Sequence, residues 1–367
     1  MSDRSPAGLG FRLPAEWEPH QATWLAWPHN ASDWPGKLGV IPWVYAEIVR
    51  ALAPGEMARI LVHSKLRQRR AERALARVGV PTEQIGFVRI PTDRSWTRDY
   101  GPCFVRRDRD GARAVVRFRF TAWAKYADWR QDDRVAPAVA HRLALPIFAA
   151  EASGRPLVLE GGSIDGNGRG TLVTTEECLL DPDVQVRNPG LGRPELEAAL
   201  ASTLGARCVL WLGRGIAGDD THGHVDDVCR FVGPATVVLC EERNPRDPNH
   251  RPLEENRERL EAARLEDGAA LEVVRLPMPA PLSFDDRRLP ASYANFYIAN
   301  SAVLVPTFND PHDRVALGIL GELFDRPVVG IHAVDLVWGL GTIHCLTREE
   351  PAAQGPEGPP AKRPSPK

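Results

Sequence analysis

The chain has 367 residues, enough for one large domain or two ordinary ones. Apolar residues make up 43% and charged residues 26%, as in soluble globular proteins. A formal net charge of −2 argues against nucleic acid or an anionic membrane surface as a general partner, and no apolar run reaches the roughly 18 residues of a membrane span.

The first segment, "MSDRSPAGLGFRLPAEW", lacks the basic-then-apolar pattern of a signal peptide, which favours the cytoplasm. Five segments then carry apolar residues at helical spacing. They begin near Arg67 ("RQRRAERALARVG"), Asp133 ("DRVAPAVAHRLAL"), Arg193 ("RPELEAALASTLG"), Pro252 ("PLEENRERLEAARLED") and His312 ("HDRVALGILGELF"). Successive starts lie roughly 60 residues apart, which reads as an internal repeat.

Each helix is followed by a strand-like run: "IGFVRIP", "LPIFAAEA", "CVLWLGRG", "LEVVRLP" and "RPVVGIHA". Four of these lead into a pair of further runs joined by turns rich in Gly, Asn and Asp: "GPCFVRR/AVVRFRF", "PLVLEGG/TLVTT", "VCRFVG/TVVLCEE" and "ANFYIA/AVLVPTF". The fifth unit stops after "GTIHCLT" without a last strand, and the N-terminal "QATWLAWP" could supply it, closing a ring and removing a free sheet edge. The pattern predicts an α/β ring of five units rather than a doubly wound sheet. One catalytic domain is expected over residues 1–350. The Pro- and Gly-rich segment 351–367 has little to bury and is expected to be disordered.

Polar residues recur at comparable places in these units. "SWTRDYGP" holds Trp96, Arg98 and Asp99; "LEGGSID" holds Glu160; "GDDTHGHVDD" holds His222, His224 and Asp226; "GTIHC" holds His344 and Cys345. A carboxylate such as Glu160, at the end of an apolar run, needs a partner or a backbone cap from Gly161 and Gly162. If "HVDD" is extended, His224 and Asp226 share one face; if "TIHC" is extended, His344 points away from Cys345 and is not its base. Asp219, Asp220 and Asp227 read as turn and supporting residues. The other five cysteines, Cys103, Cys178, Cys208, Cys229 and Cys240, lie in apolar patterns and read as core.

Two chemistries compete for this set. "THGHVDD" resembles the HxHxDH signature of metallo-β-lactamase-fold hydrolases, but Asp227 replaces the last His and no second His-rich motif follows. The alternative uses more of the sequence: a thiol nucleophile, a histidine proton carrier, a carboxylate that orients it, and two carboxylates for a cation. A planar guanidinium suits paired carboxylates because its N–H fork bonds them bidentately. A non-catalytic binder of cationic ligands would need only the carboxylates.

Taken together and in this order, "SWTRDYGP", "LEGGSID", "GDDTHGHVDD" and "GTIHCLT" resemble the agmatine deiminase family, also called the Porphyromonas-type peptidylarginine deiminase family. "LPAEWEPHQATWLAWPHN" and "ASYANFYIANSAVLVPTFNDPHD" extend the likeness over about Leu13 to Glu350. The resemblance implies the pentein fold, a five-bladed α/β propeller. It implies Cys345 as nucleophile, His224 as general acid and base, and Glu160 as its orienter. Asp99 and Asp226 would hold the guanidinium, with Trp96 lining the pocket. Neither a metal nor another cofactor is expected. The expected partner is a small cationic guanidino substrate, with no nucleic acid or membrane, and the chain is compatible with a homo-oligomer. Where close relatives read GGGNIHC and DTDGHVD, this chain has Leu340, Thr342 and His222, and "LTREE" follows where glutamine is commoner. These departures leave open the substrate's tail: agmatine, arginine-like compounds and peptidyl-arginine share one reacting group.

Overall fold

The computed structural model describes residues 4–353. All but the first three residues of the Pro-rich segment therefore lie outside the described residues. Of those three, Pro351 ends a strand and the Ala352 N–H donates to the Pro19 carbonyl at 2.8 Å.

Five sheets repeat one pattern: an antiparallel pair, a helical crossover, and a third strand parallel to the second. Parallel neighbours cannot be joined by a tight turn, so each such step demands a crossover. Cys229–Gly233 pairs with Thr236–Glu241; helix His250–Ala262 then leads to Glu272–Pro277, parallel to Thr236–Glu241. Cys103–Arg107, Arg113–Arg117 and Ile147–Ala149 repeat this around Val135–Arg142. Tyr297–Ile298, Val303–Thr307 and Val328–His332 repeat it around His312–Leu323.

The sheet containing Thr171–Thr175 differs from expectation. Its antiparallel partner is the two-residue strand Asp165–Gly166. The "PLVLEGG" run makes no hairpin with it; Val158 bridges only to Arg119. This releases Glu160 from a ladder and lets a turn at Gly161–Ser163 aim it inward.

The fifth sheet joins an early and a late segment of the chain. Arg348–Pro351 lies antiparallel to His20–Ala26, which is parallel to Met57–Leu61. An additional helix, Ile41–Leu52, makes that crossover, with Pro42 in its first turn, where a missing N–H costs nothing.

All five expected helices form, within two residues of the sequence-based starts. Arg193–Leu204 shows the local reasons: Glu195 accepts from the Gly192 N–H at 3.0 Å, and Gly205 ends the helix at φ 75°, where a side chain would be strained. The helices press small and aliphatic residues, such as Ala316 and Leu320 of His312–Leu323, onto the sheets.

Candidate active site

Cys345 lies in a single helical turn, Ile343–Leu346, rather than an extended segment. Just before it Leu340 adopts φ 69°, and a Cβ on Gly341 would lie 2.9 Å from Trp96 Cζ3 and 3.1 Å from the Cys345 sulfur. Only glycine allows the loop to pass so close to the thiol. Asn295, fully buried, ties this turn down. Its Oδ1 accepts from Thr342 Oγ1 (2.7 Å) and the His344 N–H (3.1 Å), and its Nδ2 donates to the Cys345 sulfur at 3.2 Å. Burial, reinforced by Asp226, Asp227 and Asp99, pushes the thiol well above its ordinary range. The empty site therefore holds Cys345 as a neutral thiol.

Asp99 comes from the helical turn Thr97–Tyr100. Its Oδ1 accepts from the Gly162 N–H at 3.0 Å and its Oδ2 from Trp123 Nε1 at 2.9 Å. The Gly162 donor expected for Glu160 is thus used by Asp99. Trp123 sits in three successive left-handed residues, Ala122 (φ 47°), Trp123 (φ 58°) and Ala124 (φ 52°). Each costs about 1–2 kcal/mol relative to right-handed backbone, so surrounding packing must hold this turn against the carboxylate. Burial lifts Asp99 to about 6, with Asp226 and Glu160 adding to the rise and His224 opposing it.

Asp226 belongs to a 3₁₀ turn, Val225–Asp227, so the expected strand alternation does not apply. It nevertheless faces the same region as His224, because the turn bends both side chains inward. Asp226 Oδ2 lies 3.8 Å from the Cys345 sulfur and accepts from His344 Nδ1 at 2.7 Å, while Oδ1 is buried without a partner. Burial works against its charge, but His344 holds it below the usual carboxylate range. His344 makes no bond to Cys345; its other nitrogen meets Glu16 at 2.8 Å.

His224 lies between carboxylates: Nδ1 is 3.8 Å from Asp99 Oδ1 and Nε2 is 3.7 Å from Glu160 Oε2. Burial lowers its proton affinity, yet Asp99, Cys178 and Glu160 together raise it well above the ordinary value. Glu160 also receives Arg187 Nε, 3.3 Å from each oxygen. Against the cost of burial, Arg187 and His224 hold it at about 2. A Cβ on Gly162 would fall 2.6 Å from His224 Nδ1 and 2.9 Å from both Asp226 Oδ2 and Asp99 Oδ1, so three polar side chains converge on this glycine.

Glu160, Cys178 and His224 offer ligand atoms within 4.8 Å of one another. A metal there would need a neutral imidazole and free carboxylate oxygens. Instead the site favours a protonated ring, and a guanidinium lies against both Glu160 oxygens, so the donor set suits a metal poorly. His222 does not join it: Nε2 pairs with Asp181 at 2.8 Å, in a groove with Glu177 and Arg259.

A pocket opens above Cys345 and Asp99, walled by Trp96, Trp123, Tyr126 and Trp338. Asp220 lies at its mouth, accepting from Tyr126 (2.5 Å), Arg287 (2.6 Å) and Lys125 (2.7 Å), which is more than the turn role expected of it. The structure therefore gathers Cys345, His224, Glu160, Asp99, Asp226 and Trp96 in one region. Trp123, Asn295, Arg187 and Glu16 belong to the same network and escaped sequence reasoning, while His344 was singled out there without its bonds to Asp226 and Glu16. Of those four only Asn295 carried a signal, as a lone amide in the apolar run "SYANFYIA".

A family model described as Porphyromonas-type peptidyl-arginine deiminase matches residues 12–351. An agmatine deiminase of Stutzerimonas stutzeri (strain A1501) is 35% identical over 372 residues, covering 95% of this chain and 97% of the relative. The solved agmatine deiminase of Enterococcus faecalis superposes with a TM-score of 0.88 at 30% identity, over 96% of this chain and 99% of that one. A C. jejuni agmatine deiminase solved with substrate bound gives 0.81 at 26% identity, over 93% and 96%. With a match that spans nearly its whole length, the chain belongs to the Porphyromonas-type peptidyl-arginine deiminase family.

Proposed function

We propose that this chain is a hydrolase of linear C–N amidine bonds that converts agmatine and water to N-carbamoylputrescine and ammonia. The observation that carries the reading is the environment of Cys345. A buried thiol faces two buried carboxylates, Asp99 and Asp226, with a histidine whose charged form is favoured close by. The carboxylates there outnumber that one imidazolium, and a guanidinium supplies further positive charge in the right shape. The aromatic walls suit a polymethylene tail, and the likeness to proteins named agmatine deiminase supports agmatine as the guanidino compound.

Asp99 and Asp226 bind the guanidinium as a cation. Its arrival offsets the carboxylates that keep the thiol protonated, so Cys345 releases its proton to solvent as substrate binds. The Asn295 N–H at 3.2 Å supports the thiolate. Sulfur attacks the central carbon, a C–S bond forms, and the C=N π pair moves to nitrogen. His224 gives its proton to the departing nitrogen, the C–N bond breaks, and ammonia leaves. The amidino-thioether remains on Cys345. His224, now neutral, takes a proton from water as its oxygen attacks the same carbon. Collapse breaks the C–S bond and returns the electron pair to sulfur, the remaining hydroxyl proton passes to that thiolate to restore the thiol, and the ureido product is freed. Glu160, fixed by Arg187, holds the imidazole in place through both halves.

The reading carries an architecture with it. The five repeated sheets are the blades of a pentein propeller, with residues 1–350 as one catalytic domain, supported by the shared pattern and by the pairing of Arg348–Pro351 with His20–Ala26. A cytoplasmic setting fits six cysteines that are all free. Among the described residues no helix is long and apolar enough to cross a membrane.

Ammonia release from agmatine, arginine and an arginine-containing peptide tests the substrate; agmatine should give the largest kcat/KM. Cys345→Ala should abolish release while circular dichroism stays unchanged. Full residual activity would remove Cys345 from the chemistry.

A further inference from the structure

Beneath Cys345 a buried line of polar groups runs from Asp226 to two residues, His344 and Glu16, that the proposed chemistry does not use. Asp226 Oδ2 meets His344 Nδ1 at 2.7 Å, and His344 Nε2 meets Glu16 Oε2 at 2.8 Å. All three residues are at most 6% exposed. Building on the deiminase reading above, we infer that His344, braced by Glu16, is a positioning residue: a buried imidazolium that fixes one oxygen of Asp226 and leaves the other open for the guanidinium.

The hydrogen-bond inventory carries this. Each nitrogen of the ring faces a carboxylate oxygen at hydrogen-bond distance. Ionised carboxylates only accept, and a neutral imidazole has one N–H, so two such bonds require both nitrogens to carry protons. The competing arrangement moves a proton onto a carboxyl. Glu16 is the worse place for it, since it already accepts from Arg98 Nη2 (3.0 Å), Arg230 Nη2 (2.8 Å) and the Ile298 N–H (2.8 Å). Asp226 is the alternative, and a proton there would weaken the guanidinium clamp.

Every charged group that faces this ring fits the picture. Glu16 and Asp226 bond it directly, Asp165 lies beyond Arg230, and Arg98 donates to the His344 carbonyl at 3.3 Å. Cys345 and His224 act on Asp226 from the other side. His344 also favours the ionised forms of both Glu16 and Asp226. The backbone N–H of His344 is tied to Asn295 (3.1 Å), so the residue that positions Asp226 is anchored with the nucleophile's own turn.

His344→Gln and His344→Asn test the inference, with Asn keeping a neutral donor near the Nδ1 position. Without the imidazolium, Asp226 should begin to titrate together with Asp99. The acid limb of kcat/KM should then steepen and move up by about one unit, since an opposite charge at this range shifts a carboxyl by about 1–3 units. KM for agmatine should rise on the order of tenfold with a smaller change in kcat, the pattern of lost binding to an ionic partner. The Asn variant should recover part of that loss. An unchanged acid limb and KM, with only a lower melting temperature, would mean a purely structural role and overturn the inference. Nitrogen NMR of the wild-type ring, assigned through its own backbone, tests the same point without a variant. Two protonated nitrogens at neutral pH are expected, and one bare nitrogen would overturn it. This arm holds even if no guanidino compound is turned over, in which case the functional reading alone fails.

Discussion

Trp123→Phe isolates one hydrogen bond at the substrate end of the site. The indole Nε1 donates to Asp99 Oδ2 at 2.9 Å. Phenylalanine keeps an aromatic ring against Phe120 and Tyr126, whose centroids lie 5.4 and 5.9 Å away. A hydrogen bond to a charged group contributes about 1.5–3 kcal/mol, which at about 1.36 kcal/mol per unit is roughly one to two pKa units. Asp99, already lifted to about 6 by burial, would move to neutrality or above. The sign follows directly. A raised carboxyl pKa keeps the neutral form to higher pH, and the guanidinium needs the ionised form. The acid limb of kcat/KM, which reports the free enzyme, must therefore move toward alkaline pH. At neutral pH the lost ionisation alone should lower kcat/KM about two- to tenfold. Ammonia release from agmatine, measured from about pH 5 to about pH 9, gives the profile. An acid limb that stays at the wild-type position would refute both the role of this bond and the placement of Asp99 as the titrating clamp.

Glu160→Gln should cost on the order of a hundredfold in kcat, the lower end for a misplaced general acid. It should also move the alkaline limb of kcat to lower pH, because His224 loses an anion that holds its proton; pH–rate profiles decide. Gly162→Ala should leave a folded but nearly inactive protein, melting lower by overpacking of about 1–3 kcal/mol, since the new methyl would press on His224, Asp226 and Asp99. Wild-type turnover of agmatine after this exchange would contradict the convergence described here. His222→Asp should leave KM for agmatine within about twofold, as for a surface exchange far from the chemistry; a large rise would bring the Asp181 groove into substrate recognition. Extended treatment with a strong chelator should leave activity intact, whereas loss restored by zinc would revive the metal reading of Glu160, Cys178 and His224.

The repeat was legible because its signals are local. Apolar spacing marks the helices from Lys65, Arg193 and His312, and short Gly-, Asn- and Asp-rich turns mark the hairpins. Ile41–Leu52 was missed because its sequence, rich in aromatic and β-branched residues, reads as well as a buried strand. The "PLVLEGG" run failed for the converse reason: it has strand composition, but tertiary contacts take it out of the ladder. Within the site, residue types were readable and geometry was not. His224 and Asp226 were expected to share a strand face and instead share the inside of a 3₁₀ turn. Arg187 and Trp123 could not be read at all. An arginine in a polar loop and a tryptophan in a left-handed turn carry no local mark of the carboxylates they meet 27 and 24 positions away.

The pairing of Arg348–Pro351 with His20–Ala26 also sets a schedule. Cys345 lies three residues before the strand that completes this sheet, so an early segment of the chain waits for a late one. Synthesis delivers the chain from the N-terminus. During translation the carboxylates and His224 emerge long before the thiol they serve. The thiol is seated only when the last sheet edge is filled. Under the proposed reading, any ribosomal stall or proteolytic clip that removes the closing strand would unseat Cys345, so activity reports that this strand is in place.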